Sequence, residues 1–462
     1  MVERLQREDI QGIILSGYVD WPWSAYVLLT IDPAQTAGAR RWLAHIADEI
    51  TTAADKPADM TMKTPTNVNV ALTVTGLAHL GVDRATLDTF AIPFIDGMNS
   101  ALRSRILGDC EDDGSPKNWR WGGLDRPVDV LLMLYADGDT AANRDALVAR
   151  MRQGIAASGA LAEVALLEAG LYPDRNEHFG FADGVGQPAI DGTGHASKAT
   201  STNVVRPGEF LLGYENEYGY PADAPAIGPK GDLGKNGSYL VFRQTTQDVP
   251  AFWQFLDAQS RTPDGRSDPA ARDMLGAKFV GRWKSGAPLA LAPDADDPSL
   301  GKTDEFGYAE TDPHGFGCPL GAHARRANPR DALLTDKSRE SLKRTARHRL
   351  MRRGRSYGDR ILDPMLPDGK ERGLHFICLC ADLARQFEFV QQTWLNNPVF
   401  GGLAGEVDPV VGGQPKDSPV MTLQKAPVRR RITGVPSFVT LVGGAYFFVP
   451  GIKALRWLAT GT

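Results

Sequence analysis

The chain has 462 residues, enough for two or three domains and a sizeable core. Its net charge of −5 and pI of about 6.0 leave no basic face of the kind that nucleic acid requires as a bulk partner. No stretch reaches the roughly 18 apolar residues of a membrane span, the opening Met1-Val2-Glu3-Arg4-Leu5 lacks the apolar core of an export signal, and the four cysteines (Cys110, Cys318, Cys378, Cys380) have neither zinc spacing nor the density of a secreted scaffold. The expectation is a cytoplasmic protein with no nucleic-acid or membrane partner.

Asp9 to Ile14 is an apolar entry segment. Tyr26 to Ile31 is a β-rich run closed by the helix start Asp32-Pro33, after which Trp42, Leu43 and Ile46 recur at helical spacing. Val68 to Thr75 alternates as a strand, Gly76-Leu77 opens a helical segment, and Asp109 to Gly123 is an acidic, Trp-rich loop. Val128 to Tyr135 is an apolar strand, Thr140 to Ile155 a helix and Val164 to Leu167 a short strand. This is the β-α-β-β-α-β order of a ferredoxin-like unit, with an insertion before its third strand.

Leu171 to Lys235 is rich in Gly, Pro, Asn and Asp and has no periodic pattern. Loops this long in compact proteins are usually functional. It contains Gly180-Phe181-Ala182-Asp183-Gly184-Val185-Gly186-Gln187-Pro188. An isolated Asp-Gly is most simply a turn, but here glycines and apolar residues crowd the carboxylate, which is how tuned carboxylates are built.

The grammar then repeats. Ser238 to Gln244 and Leu374 to Cys380 are strands, Val249 to Ala258 and Asp382 to Trp394 helices. Phe438 to Leu441 and Ala445 to Val449 form a strand pair around Gly443-Gly444, followed by a closing helix from Gly451 to Leu458. The fold class is therefore α+β with two ferredoxin-like units, divided as 1–198 and 199–462, although no internal sequence repeat supports a duplication.

Two stretches of the second half carry chemistry. Gly317 to Asp331 holds one histidine, His323, between Ala322 and Ala324. Arg325, Arg326 and Asn328-Pro329-Arg330 follow, and the proline ends any helix before it. Small neighbours admit a flat body against the ring, and guanidinium groups suit carboxylates; alone, the stretch reads first as a histidine on a basic surface turn, because lone histidines are common and metal ligands rare. Arg347 to Gly358 packs in five arginines around Leu350-Met351 (a solvated face or an anion site), and an arginine turned inward there needs an anion or a polarisable ligand.

Together these blocks resemble the dye-decolorising peroxidases, in particular the larger cytoplasmic subgroup. Gly180-Phe181-Ala182-Asp183-Gly184 matches the family's G-x-x-D-G signature. Gly317 to Asp331 resembles its proximal-histidine block, and Arg349 to Gly358 its distal-arginine block. Asp9 to Leu15, Asn69 to Leu80, Pro207 to Tyr214, Arg385 to Pro398 and Phe438 to Leu458 extend the likeness along nearly the whole chain.

The resemblance implies haem b, with the second half holding most of it. His323 falls on the iron ligand, Asp183 on the distal aspartate and Arg352 on the distal arginine, with Arg349 and Arg353 close in register. Gly184, Val185, Gly186, Asn328, Pro329 and Arg330 fall on haem contacts, and Leu374 and Phe376 on apolar distal positions. It implies hydrogen peroxide and aromatic reductants (dyes, phenols) as partners, and it allows a homodimer. A haem-binding or iron-releasing protein with little peroxide turnover is the alternative on this scaffold. The reaction needs a base to shift a proton between the peroxide oxygens and a fixed cation, roles that Asp183 and Arg352 fit. A carboxylate base predicts best turnover at acidic pH, and the dense arginine run suggests that neighbours substitute in part for Arg352. A ligating histidine gives its other N–H to a carboxylate, and Glu388 is the candidate, against the simpler reading of a salt bridge within its helix. Trp394 and Tyr357 stand in matched blocks as aromatic residues for electron passage, although packing is the commoner role.

Overall fold

The computed structural model describes residues 4–54, 64–109, 113–194, 196, 202–228, 231–413 and 419–461. Cys110 and the expected division at 198/199 lie outside these residues.

Strand β1 (Trp23–Ile31) is buried along nearly all its length, so both of its faces are covered. Asp32 stops it and accepts the Ala34 N–H at 2.9 Å, which starts the turn leading into helix α1 (Thr36–Glu49). Trp42, Leu43 and Ile46 bury the inner stripe of α1. β2 (Thr66–Leu72), β3 (Val130–Ala136), helix α2 (Ala142–Ser158) and β4 (Leu161–Gly170) complete the first unit. The last strand is ten residues long, longer than its apolar centre indicates, because its half-exposed outer positions carry no hydrophobic signal. All pairings are antiparallel, in the order β4-β1-β3-β2.

The second unit has the same plan. β5 (Ser238–Gln247) is followed by α3 (Val249–Ser260), α4 (Pro269–Val280) and the short α5 (His323–Ala327). Two very short strands, β6 (Met351–Arg352) and β7 (Arg355–Tyr357), pair with β8 (Gly373–Cys380), and β9 (Val439–Val449) closes the unit beside β5. The expected strand pair around Gly443-Gly444 is instead the single strand β9. Its register shifts between Leu441 and Gly443, where a Cβ on Gly443 would lie 2.5 Å from the Trp121 indole nitrogen. The order β9-β5-β8-β7 repeats that of the first unit.

Single bridges join the sheets at both edges, Leu72 with Phe448 and Gly170 with Ser356. The strands thereby form a ring whose inner faces pack on each other. Tyr26 of β1 lies 5.2 Å from Phe242 of β5 and 5.5 Å from His375 of β8, ring to ring. Helices cover the outer faces, with Trp42, Leu147, Tyr239 and Leu455 in one outer core. The long segments between strands lie outside this ring and carry the site.

Candidate active site

Helix α5 is one turn long. Ala322 before it is extended and fully buried, and Asn328 ends it ahead of Pro329, as the proline requires. Its first residue, His323, lies deep in the molecule, yet 34% of its side chain is free: the ring faces an internal space. Nδ1 donates to Asp408 Oδ2 at 2.9 Å. The Asp408 side chain is fully buried, and its other oxygen accepts the N–H groups of Val410 and Val411, each at 2.9 Å. Burial works against charge on both partners, but the Asp408 charge still raises the His323 pKa. For the same reason Asp408 stays below the usual carboxylate range, helped by its backbone donors. A carboxylate on Nδ1–H fixes the tautomer and leaves Nε2 for a ligand.

Glu388 does not have the expected role. It accepts from Arg103 Nη1 and Tyr446 Oη, both at 2.9 Å, and its salt bridge runs to another helix rather than along its own. Asp408 takes that role from a loop whose order comes from Arg326. That fully buried guanidinium donates to the carbonyls of Gly321, Trp394, Asn397 and Glu406, tying α5 to the Asp408 segment. Asp408 was overlooked because Glu406 to Gly412 follows no helical or strand period; the available signal was one acid set among Val407, Pro409, Val410 and Val411.

Asp183 sits in a tight loop. Its own Oδ1 accepts the Gly184 N–H at 2.6 Å, leaving Oδ2 for other work. Gly180, Gly184 and Gly186 have φ of +92°, +77° and +81°, backbone that a side chain would strain. Arg352 Nη2 holds the Val185 carbonyl at 2.9 Å and Arg349 Nη2 the Gly186 carbonyl at 3.2 Å. On the other side of Asp183, Glu177 accepts the N–H groups of Phe179 at 2.8 Å and Phe181 at 3.0 Å, and Gln247 Nε2 at 2.8 Å. Burial drives its carboxyl up to about 7 against these donors.

The arginine run divides by direction. Arg353 turns away to the carbonyls of Ile13 and Ile14, both at 3.0 Å, and Arg355 to those of Trp21 and Tyr18. Arg353 therefore cannot stand in for Arg352. The charges of Arg352 and Asp183 both bear on His323, so the three residues lie within electrostatic range of one another. Leu374 and Phe376 alternate with the inward-facing His375 on β8, and both are half-buried.

Beyond α5, Arg330 is held in the left-handed region (φ +53°), donating to the Asp304 and Phe306 carbonyls and pairing with the Asp304 carboxylate. Arg282 reaches that carboxylate at 3.1 Å, and Arg349, lowered to about 10 by burial, feels it too. Asn328, Arg330 and Arg349 line a cavity of about 330 Å³. Three buried guanidinium groups thus share one carboxylate, whose Oδ2 has no hydrogen-bond partner. This excess of positive charge suits two propionates, as the free side of His323 suits iron, so the residues fit haem. Trp394 is buried against His348 and Phe389.

One imidazole backed by a buried carboxylate, within electrostatic range of an aspartate and an arginine, is the residue set of a haem peroxidase. None of the protein-family models matches the chain. It is 31% identical to a dye-decolorising peroxidase of Auricularia auricula-judae, over 98% of this chain and 86% of that one. A crystal structure of the Auricularia enzyme with imidazole matches with a TM-score of 0.82 at 28% identity, covering 98% and 100% of the two chains. A dye-decolorising peroxidase solved with 2,6-dimethoxyphenol matches over the same shares, with a TM-score of 0.80 at 28% identity. The chain belongs to the dye-decolorising peroxidase family, whose cofactor is haem.

Proposed function

We propose that this peroxidase binds haem b through His323 and uses hydrogen peroxide to oxidise dyes, phenols and other aromatic compounds in one-electron steps. The observation carrying the reading is the His323–Asp408 pair within electrostatic range of Asp183 and Arg352. The dimethoxyphenol bound to a relative supports phenols as reductants. Haem supplies the redox chemistry when bound. Asp183 Oδ2 takes the proton from the nearer peroxide oxygen and returns it to the departing one, while Arg352 keeps a fixed positive charge beside them. Asp304, Arg282, Arg330 and Arg349 hold the propionate side. Haem that leaves intact in acidic butanone and gives the pyridine haemochrome spectrum of protohaem would confirm haem b; haem that stays attached, or a different haemochrome spectrum, would exclude it. The three buried free thiols Cys318, Cys378 and Cys380 support a cytoplasmic location, which cell fractionation tests.

Stopped-flow mixing with peroxide tests the assignment. Asp183→Asn should slow the peroxide reaction by about 10²–10⁴-fold. Arg352→Leu should slow it by about 10²–10³-fold. Asp183→Asn reacting at the parent rate would remove Asp183 from the acid–base role, and a parent protein with full haem but no dye turnover would favour the haem-carrier alternative.

A further inference from the structure

Asp183 acts on a proton only if its carboxyl stands where peroxide binds, and a glycine-rich loop does not hold such a position unaided. The carbonyl side of the loop, after Asp183, is held by Arg349 and Arg352. The side before it has a different anchor. Residues 176 to 182 form a tight reversal, with a bridge between Asn176 and Ala182 and the Glu177 N–H donating to the Phe181 carbonyl. The Glu177 carboxylate fills the mouth of this reversal by accepting the Phe179 and Phe181 N–H groups, and Gln247 at the end of β5 gives it a third donor. Phe181 stacks on Trp253 of α3 with centroids 6.0 Å apart, and the Trp253 indole donates to the Phe179 carbonyl. The Ala182 N–H is bonded to Lys284 and the Asp183 N–H to Arg175.

We propose that Glu177 and Gln247 form a positioning pair that fixes Asp183 for the peroxide step by tying its loop to the rigid sheet of the second unit. This inference rests on the reading of Asp183 as the proton shuttle. The chain from β5 to the shuttle is short: Gln247 to Glu177, Glu177 to the Phe181 N–H, and two residues on to Asp183. Glu177 touches neither peroxide nor haem in this account; it acts through Asp183. Only an acceptor at position 177 satisfies all three donors. An amide there turns its NH₂ group against one of them, so the reversal must open. A displacement of about 1 Å at a catalytic group costs on the order of 10²-fold in rate.

The test uses the haem-loaded full chain above pH 7, where Glu177 is ionised and can accept all three donors. Glu177→Gln should lower the second-order rate with peroxide by about 10–100-fold while leaving haem content, the Fe(III)/Fe(II) potential and the later reductant steps at parent values. Glu177→Asp keeps an acceptor at this position and should lose less than the amide does, and Gln247→Leu, which removes the tie to β5, should also slow the peroxide reaction. In an Asp183→Asn background, Glu177→Gln should add little, because its effect runs through the residue already disabled. A parent-like peroxide rate in Glu177→Gln overturns the proposal. So does an equal loss in both backgrounds, or, where Glu177→Gln does not fold, a folded Gln247→Leu protein that reacts at the parent rate. If Asp183→Asn itself reacts at the parent rate, the shuttle reading fails, an outcome distinct from a failure of the Glu177 pair alone.

Discussion

At His323 two effects oppose each other: burial disfavours a charged ring, and the buried Asp408 carboxylate favours it, and the carboxylate prevails. Asp408→Asn removes the stronger acceptor, so the imidazole becomes a poorer donor and the Fe(III)/Fe(II) potential should rise, with activity falling about 10–100-fold. Glu388→Gln, which disturbs only Arg103 and Tyr446, should leave the potential where it is; spectroelectrochemistry of both variants decides, and the reverse pattern refutes the assignment. His375 offers a second test. Neither of its ring nitrogens has a hydrogen-bond partner, and burial pushes its pKa down to about 3; burial takes His178 to about 4, partly opposed by the Tyr357 carbonyl. Between the unfolded value of about 6.5 and these values the unfolded chain binds more protons, so stability falls as pH falls, by up to about 1.4 kcal/mol per unit for each histidine. His375→Phe keeps the stacking with Tyr357 and removes one titration, so its thermal midpoint should drop less than the parent's between about pH 7 and pH 5. Equal drops would contradict this. At this scale the sequence disclosed His323, Asp183 and Arg352, because each lies in a patterned block. It concealed Asp408, Asp304 and Glu177, whose roles exist only through partners distant in the chain.

The elements that were easy to read are those with both faces buried. β1, β3 and β8 announce themselves as apolar runs, and α1 by its Trp42-Leu43-Ile46 stripe. β6 and β7 were hidden because they have two and three residues and are mostly arginine, serine and tyrosine. Their arginines act as clamps on carbonyls rather than as a solvated face. Arg353→Met should therefore lower stability by about 2–4 kcal/mol, leaving the Ile13 and Ile14 carbonyls unpaired, while kcat/KM for peroxide in the folded protein stays near the parent value. Thermal melting together with steady-state kinetics separates this from Arg352→Leu, which should lower kcat/KM for peroxide in the folded protein as well. A kinetic defect in Arg353→Met without loss of stability would reverse the two assignments.

On the scale of the molecule, two sheets of identical order share one inner core, and the repeat is one of topology, not of sequence, because each unit carries different insertions. The inner faces of β1 and β3 (Tyr26, Leu28, Met133, Tyr135) share their cluster with Leu240, Phe242, Ile377 and Phe447 of the second unit, at about 1.5–3 kcal/mol for each large apolar side chain buried. Segments 1–198 and 199–462 expressed apart should therefore be insoluble or molten and should recover haem binding only together; an independently folded first segment with a sharp melting transition would contradict that. His323 and Asp408 belong to the second unit and the loop carrying Asp183 leads out of the first, so the proposed chemistry converges on the junction between units. The most direct measurement is the absorption and EPR spectrum of the His323→Ala protein beside the parent. Loss of haem, or a spectrum of haem without a protein ligand, is the predicted result. Full haem load with unchanged absorption and EPR signals would contradict the account at its centre.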